Sequence, residues 1–217
     1  MHRKIKIGNN YKPSVEELKK YHSNWNELRK YVEHEEALRF IFQEDSRFRQ
    51  NVELNCIIIK CSSLNDFYST NIYDIHAMAV NILGIENIDE RLRSGDSSII
   101  PEIATLKMRG KEGKEHVINH YSFATKYCSH HQPEKFPIFD KYVEHVLKDL
   151  KLIYSGHLNY NERNLRNYEN FRNAIDEVRD TFGLGEYSYK DIDRYIWQLG
   201  KEYYSPYNLP KLEELAK

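Results

Sequence analysis

Two residues whose side chains could take part in catalysis stand 14 positions apart in this chain, Lys126 and Asp140. A lysine amine that loses its proton in an apolar pocket is a nucleophile and can form a Schiff base. An ionised carboxylate stabilises positive charge that develops on a substrate and orients the attacking group. Phe123 and Tyr127 flank the lysine and would supply apolar surroundings. The pair is therefore suited to nucleophilic cleavage of a bond.

The sequence around this pair predicts the elements that position it. A helix is predicted from about 115 to 131 and carries the lysine, and Pro133 and Pro137 then impose an extended connection. Asp140 is predicted to cap the next helix, because apolar residues follow it at the spacing of one helix face. These apolar residues are Val143, Val146, Leu147 and Leu150.

The segment that contains both residues reads SFATKYCSHHQPEKFPIFDKYV, from 122 to 143. It resembles the helix-hairpin-helix DNA glycosylase superfamily, whose signature ends in an extended proline-containing segment, a catalytic aspartate and a helix. In particular it resembles the 8-oxoguanine DNA glycosylase-like bacterial branch, in which a Ser-Phe-Ala-Ser/Thr-Lys segment precedes Pro-Ile-Tyr/Phe-Asp. The resemblance implies that Lys126 is the nucleophile and that Asp140 stabilises the sugar cation and activates the attack.

A second segment, CIIIKCSSLNDFYST at 56–70, resembles the superfamily's apolar helix that runs into a polar turn near the extruded base. The resemblance implies a DNA glycosylase with AP-lyase activity, which flips a damaged or modified base out of double-stranded DNA and excises it. Its biological setting would be DNA repair or defence against phage. The implied base-pocket residues are Asn65, Tyr68, Phe123, Tyr127 and Phe139.

The superfamily's hairpin sequence, Leu-Pro-Gly-Val-Gly, is missing, because the residues that lead to Lys126 read YSFAT. A glycine pair stands earlier, at Gly110 and Gly113, and Lys114 follows it. If the hairpin lies there, Lys114 is the alternative nucleophile, whereas the SFATK segment favours Lys126. The turn at 108–114 is expected to hold DNA phosphates through backbone N–H groups and basic side chains. The expected phosphate-binding residues are Arg109, Gly110, Lys111, Gly113 and Lys114.

A degenerate hairpin also favours a second function. Under this alternative the chain is a non-catalytic helical module that keeps the glycosylase fold and binds DNA or a protein partner. The net charge of −1 excludes a global field that attracts nucleic acid. Under either function, contact with DNA therefore requires a local basic patch.

The composition limits the compartment and the cofactors. Cys56, Cys61 and Cys128 are too few for a paired disulfide framework or for a four-cysteine zinc or iron–sulfur site. His130 and His131 are neighbours on a predicted helix and point in different directions, so no metal and no cofactor are expected. The sequence holds no apolar run of the ~18 residues that a membrane helix needs. We expect a cytoplasmic monomer without membrane contact.

The fold class follows from the scarcity of turn residues. With 9 glycines and 6 prolines among 217 residues, the sequence predicts an all-α chain. We predict a single domain over 1–217 that resembles the glycosylase fold, with a core at about 52–150 and flanking helices at 14–45 and 168–204. Ser14 with Glu17 forms a predicted capping box, and Ser188 begins the last helix. Other predicted helices are 24–42, 52–66, 71–84 and 99–107, with loops at 45–51, 86–97 and 155–166.

Overall fold

The computed structural model describes residues 5–109 and 115–206. These residues form two compact units, the first made of 5–32 with 139–206 and the second of 33–109 with 115–138. Each unit has its own set of buried apolar side chains. The single domain over 1–217, with a core at 52–150, stays a prediction.

Within the described residues the chain forms ten α-helices, one π-helical turn and two β-strands. The helices are α1 (Val15–Glu27), α2 (Arg29–Arg39), α3 (Leu54–Tyr68), α4 (Ile75–Leu83), α5 (Ile88–Ser94), α6 (Ile99–Ala104), α7 (Tyr121–His131), α8 (Lys141–Ile153), α9 (Tyr168–Thr181) and α10 (Tyr189–Tyr204). The strands are β1 (Thr105–Arg109) and β2 (Glu115–Asn119), and the π-helical turn is Phe40–Glu44. The chain is predominantly helical, as predicted.

In the first unit, α10 packs against both α1 and α8. The contact with α8 is close at Gly200, where an added Cβ atom would stand 2.7 Å from the carbonyl oxygen of Tyr142. Asp149 on α8 is fully buried, and its Oδ2 accepts a hydrogen bond from the backbone N–H of Lys6 at 2.8 Å. The first described residues are therefore anchored on α8.

In the second unit, α7 is packed on several sides. It contacts α3, α5, α6 and the π-helical turn, and α3 in turn packs on α4. The strands β1 and β2 pair in an antiparallel ribbon, with Thr105 opposite Asn119 and Arg109 opposite Glu115. This arrangement buries nearly the whole length of α7 and holds its side chains in fixed positions.

Three predicted helix starts are confirmed by their capping bonds. The Ser14 hydroxyl accepts from the Glu17 backbone N–H at 3.2 Å. Asp140 Oδ1 accepts from the Tyr142 backbone N–H at 2.8 Å, which places Asp140 at the N-cap of α8. Ser188 and Asp191 form a reciprocal capping box at the start of α10, in which each side chain accepts from the other residue's backbone N–H. Side-chain caps satisfy N–H groups that have no partner within the helix.

Two predicted boundaries in the helical regions are wrong. The helix expected to start at Asn24 starts at Arg29, because Leu28 leaves the helical conformation with a ψ of 60°. The segment 86–97, expected to be a loop, contains α5. Its Ile88 and Leu92 are both buried and stand four positions apart, which suffices to hold one short polar helix on the core.

The prediction of a helix at 115–131 is wrong for its N-terminal part. Residues 115–119 form β2, and the helix begins at Tyr121. The predicted helix at 99–107 likewise ends at Ala104, where β1 begins. Cross-strand hydrogen bonds stabilise the extended backbone here, and the β-branched pair Val117 and Ile118 suits it. Part of the predicted turn, residues 110–114, lies outside the described residues.

Membrane-spanning helices and clusters of metal ligands are absent from the described residues. No helix there is long and apolar enough to cross a bilayer. Across 5–109 and 115–206, no group of three or more His, Cys, Asp or Glu side chains is arranged to hold a metal ion. The three cysteines are buried free thiols.

Candidate functional site

Helix α7 carries several side chains that can take part in chemistry. Residues four positions apart on a helix share a face, so α7 presents two adjacent rows. The first row is Ser122, Lys126 and His130, and the second is Phe123, Tyr127 and His131. We call the first row together with Tyr68 the lysine cluster. Tyr127 and His131 of the second row belong to another group, which we call the buried network. Its members are Asn51, Lys60, Asp89, Tyr127 and His131.

The lysine cluster contains a buried amine. Lys126 is 2% exposed, and its Nζ donates to the Ser122 hydroxyl at 2.6 Å. The same Nζ lies 5.2 Å from the centroid of the Tyr68 ring. The Tyr68 hydroxyl and His130 Nε2 share a hydrogen bond of 3.0 Å. The amine is thus held between a hydroxyl and an aromatic face, with a phenol–imidazole pair beside it.

Three of the predicted base-pocket residues have structural contacts in the second unit. The Asn65 Oδ1 accepts from the Thr70 hydroxyl and from the Ile72 N–H, each at 2.9 Å, so Asn65 stabilises the turn after α3. Phe123 and Tyr127 are buried in the core, with ring centroids 5.8 Å apart. Their roles in a base pocket stay predictions, and Tyr68 is the predicted pocket residue that lies beside Lys126.

Asp140 and Phe139 belong to the first unit. Asp140 caps α8, and the Phe139 ring packs edge-on against Phe171 with centroids 5.4 Å apart. The guanidinium of Arg166 lies 5.6 Å from the Phe139 centroid. The pairing of Asp140 with Lys126 stays a prediction.

The predicted phosphate-binding residues lie at the connection between β1 and β2. Arg109 is the last residue of β1, opposite Glu115 in the ribbon. Gly110, Lys111, Gly113 and Lys114 lie outside the described residues. Their contacts with DNA, and the alternative nucleophile Lys114, stay predictions.

The buried network contains a second lysine, Lys60, which is 0% exposed. Its Nζ donates to Asn51 Oδ1 at 2.5 Å, to the Gln50 carbonyl at 3.3 Å and to His131 Nε2 at 3.4 Å. An ammonium group has three donors, so these three acceptors satisfy all of them. A buried charge is tolerated when its hydrogen bonds are made in this way.

Asn51 links this lysine to a carboxylate. Its backbone N–H donates to Asp89 Oδ2 at 3.0 Å, and its side-chain Nδ2 donates to Asp89 Oδ1 at 2.6 Å. Its Oδ1 accepts from Lys60 and from the Tyr127 hydroxyl. Every polar atom of the Asn51 side chain is therefore used, and Asp89 balances the charge of Lys60 through one amide.

His131 has a defined tautomer. Its Nε2 lies 3.4 Å from Lys60 Nζ and 3.4 Å from Asn51 Nδ2, and both of these atoms are donors. Nε2 must therefore accept, which leaves the proton on Nδ1. Burial and the nearby charge of Lys60 lower the pKa of His131 well below its usual value, so the ring is neutral. Among the described residues nothing accepts from the Nδ1–H.

The free energy of unfolding is expected to depend on pH through the titration of Lys60. Burial lowers the pKa of Lys60 from 10.5 to about 8, although the charge of Asp89 opposes the shift. Between these values the unfolded chain binds a proton that the folded chain has released. The free energy of unfolding of the wild type, relative to Lys60→Met, should therefore rise between about pH 8 and 10. Urea unfolding of both proteins at several pH values measures the difference, and a constant difference would contradict the prediction.

An open cleft of about 660 Å³ lies beside the buried network. Its volume is within the ~300–1,000 Å³ typical of small-molecule sites. Two exposed guanidinium groups, from Arg49 and Arg93, stand among its lining residues, as do the carboxylate of Asp89 and the ring of His131. The lining residues are Phe42, Gln43, Arg49, Gln50, Asp89, Leu92, Arg93, His131, Gln132, Pro133 and Glu134.

The buried network and the cleft were not predicted from the sequence. One signal was present, because Lys60 stands in the apolar run CIIIKC and Lys is almost never buried without partners. Asn51 and Asp89 gave no comparable signal. Both lie in segments that were predicted to be loops, 45–51 and 86–97.

Comparison with known proteins finds a family and a relative. A family model described as HI_0787_N, N-terminal domain, matches residues 17–135. An uncharacterized protein of Haemophilus influenzae is 41% identical over 140 residues, which cover 64% of this chain. The chain spans 63% of the length of that relative. No solved structure matches the chain. The family match includes the lysine cluster and the cleft, whereas Asp140 lies beyond it.

Proposed function

This chain belongs to the HI_0787_N family, and we propose that it is a DNA glycosylase that uses Lys126 as its nucleophile. The observation that carries the proposal is the buried amine of Lys126, 2.6 Å from the Ser122 hydroxyl and beside the Tyr68 ring. Lysine side chains are mostly exposed, and burial of one at a functional site favours amine chemistry. The substrate is double-stranded DNA with a damaged or modified base, in repair or in phage defence.

The chemistry assigns a task to each group. The Lys126 amine attacks C1′ of the target nucleotide and loses protons, while the bond to the base breaks. The base leaves with the bonding electrons and takes up a proton. Opening of the sugar ring gives a Schiff base between C1′ and Nζ, from which β-elimination can cleave the strand. The carboxylate of Asp140 stabilises the positive charge that develops on the sugar.

The cap geometry of Asp140 supports its task. The Tyr142 N–H holds Oδ1 at 2.8 Å, so the carboxylate has a fixed direction at the start of α8. Asp140 also follows the extended segment that the resemblance assigns to catalysis.

Covalent trapping tests the proposal directly. The full chain is incubated with duplexes that carry 8-oxoguanine, uracil, hypoxanthine or hydroxymethylated cytosine, in the presence of borohydride. We expect a protein–DNA adduct on at least one duplex, because borohydride reduces a Schiff base to a stable amine. Lys126→Gln should abolish the adduct. Lys141→Gln, which changes an exposed lysine next to Asp140, is the matched control and should keep it.

Two outcomes would contradict this assignment. An adduct that persists in Lys126→Gln and disappears in Lys114→Gln would move the nucleophile to the connection between the strands. Release of no base and formation of no adduct on any duplex would overturn the glycosylase proposal.

A second candidate is the non-catalytic module that binds DNA or a protein partner. It is favoured by one observation, the ribbon of β1 and β2, which flanks the glycine pair where the alternative hairpin was expected. Binding of undamaged and damaged duplexes with equal affinity, without base release, would support this candidate. Its affinity should fall steeply with salt, because the contacts would be made to phosphates.

A further inference from the structure

The two arginines that line the cleft, Arg49 and Arg93, differ from the other arginines of the second unit. Arg39, Arg47 and Arg91 each form an ion pair with a carboxylate, at 3.0, 2.6 and 2.7 Å respectively. The guanidinium groups of Arg49 and Arg93 form no ion pair and no hydrogen bond with any residue in 5–109 or 115–206. An unpaired guanidinium keeps all five of its N–H donors available. Two such groups therefore stand on one concave surface.

Two side-chain amides add further donors to the same surface. Gln50 and Gln132 line the cleft, and neither amide forms a hydrogen bond with the part of the chain that the structure describes. Each amide can turn two N–H donors toward a ligand. The amide of Gln43 is already used, because its Nε2 donates to the His130 carbonyl at 2.8 Å. The cleft thus offers four donor groups that the protein itself does not satisfy.

The carboxylates in the lining do not cancel the positive charge. Both oxygens of Asp89 accept hydrogen bonds from Asn51, and the buried ammonium of Lys60 balances the charge of this carboxylate. Glu134 is exposed and pairs with neither cleft arginine. The ring of His131 is neutral and adds no charge. Two guanidinium groups therefore face one uncompensated carboxylate, and the cleft keeps a positive charge.

Unused donors and a positive charge together select an anion as the ligand. A carboxylate offers two oxygens, whereas a phosphate group offers at least three strong acceptor oxygens in a tetrahedral arrangement. Phosphate is therefore the better match for four donor groups, and guanidinium groups bind it through charge-assisted hydrogen bonds. The volume of about 660 Å³ also leaves room for the molecule that carries the phosphate. We propose that this cleft binds a phosphate group.

The proposal is independent of the glycosylase proposal. The lysine cluster residues Ser122, Lys126 and Tyr68 do not line the cleft, and neither does Asp140. A phosphate group occurs in free phosphates and also in the backbone of a DNA strand. The experiment therefore has an arm for each source.

Nuclear magnetic resonance of the arginine Nε–H groups tests the site directly. The ¹⁵N-labelled full chain is titrated with inorganic phosphate at constant ionic strength. We expect the Arg49 and Arg93 signals to shift and to saturate with one dissociation constant. Arg47 is an internal control, because its Nε donates to Asp45 Oδ1 at 3.0 Å and its side chain does not line the cleft. Absence of a saturable shift, or an equal shift of the Arg47 signal, would overturn the proposal.

Variants of exposed residues change the charge of the cleft in opposite directions. Arg93→Gln should weaken the binding of inorganic phosphate by about tenfold, as for the loss of hydrogen bonds from a charged donor. Glu134→Gln should strengthen binding by about twofold, because it removes a like charge from the cleft. Arg47→Gln is the matched control and should leave binding unchanged. Unchanged affinity in Arg93→Gln, or weaker binding in Glu134→Gln, would contradict the proposal.

Two further ligands define the anion and its source. Acetate should bind at least about tenfold more weakly than inorganic phosphate, because it offers fewer acceptors. Equal binding of acetate would contradict the choice of phosphate. If the trinucleotide d(TTT), whose phosphates are all diesters, displaces inorganic phosphate, a DNA strand is a ligand of the cleft. If d(TTT) fails to displace it, the ligand is a free phosphate, and either result supports a phosphate site.

Discussion

Asn51→Leu is expected to lower the free energy of unfolding by about 3–5 kcal/mol, because it removes one partner from a buried charge. The Asn51 side chain is 3% exposed and accepts from Lys60 and Tyr127 while it donates to Asp89. Leucine has a similar volume and no polar atoms. Lys60 would then keep its charge in the core with one of its three acceptors missing. Urea unfolding measures the loss.

A double-variant cycle distinguishes two causes of the lost stability: a buried charge that lacks its partner, and poor packing of the leucine side chain. Combination of Asn51→Leu with Lys60→Met should recover more than about 1 kcal/mol of the loss, because apolar groups then replace both partners. Asn173→Leu, at an exposed position of α9, is the control and should change stability by less than about 0.5 kcal/mol. A cost below about 1 kcal/mol for Asn51→Leu would show that the network is not held by this amide.

Asp140→Asn should separate the capping role of this residue from its proposed catalytic role. Asparagine caps a helix about as well as aspartate, so the unfolding midpoint should stay close to that of the wild type. Asparagine carries no negative charge and cannot stabilise the sugar cation. We therefore expect base excision to slow by about 10²–10⁴-fold. Single-turnover excision on the duplex identified by trapping measures the rate.

Two further variants complete this test. Asp140→Ala removes both functions and should also lose about 1 kcal/mol of stability with the cap. Glu144→Gln changes another carboxylate in the first turn of α8 and should excise at the wild-type rate. Excision at the wild-type rate by Asp140→Asn would leave the carboxylate with its capping role and remove it from the proposed mechanism.

Local rules predicted the helix starts in this chain well. Ser14, Asp140 and Ser188 cap their helices through N–H groups only two or three residues away. All the information for such a cap is contained in one short segment. The Pro133 to Pro137 connection and the apolar stripe of α8 were predictable for the same reason. The fold class, which depends on many such segments, was therefore predicted as mainly helical.

Long-range pairing explains what the sequence did not reveal. The strand β2 carries two adjacent β-branched residues, yet its extended form depends on pairing with β1. In the buried network, Asn51 and His131 are separated by 80 positions. No local pattern relates them. Lys126 and Tyr68 were each identified as candidate site residues from their own segments, but no local pattern showed that the end of α3 lies beside Lys126.

The close contact of α10 with α8 limits how this sequence can diverge. A methyl group at Gly200 would meet backbone atoms of Tyr142, which cannot turn away as a side chain can. An alanine there would push the two helices apart at this contact. Homologues that keep this helix pair should therefore conserve glycine at the position, and any that lost it would need a wider spacing and larger side chains to fill the gap.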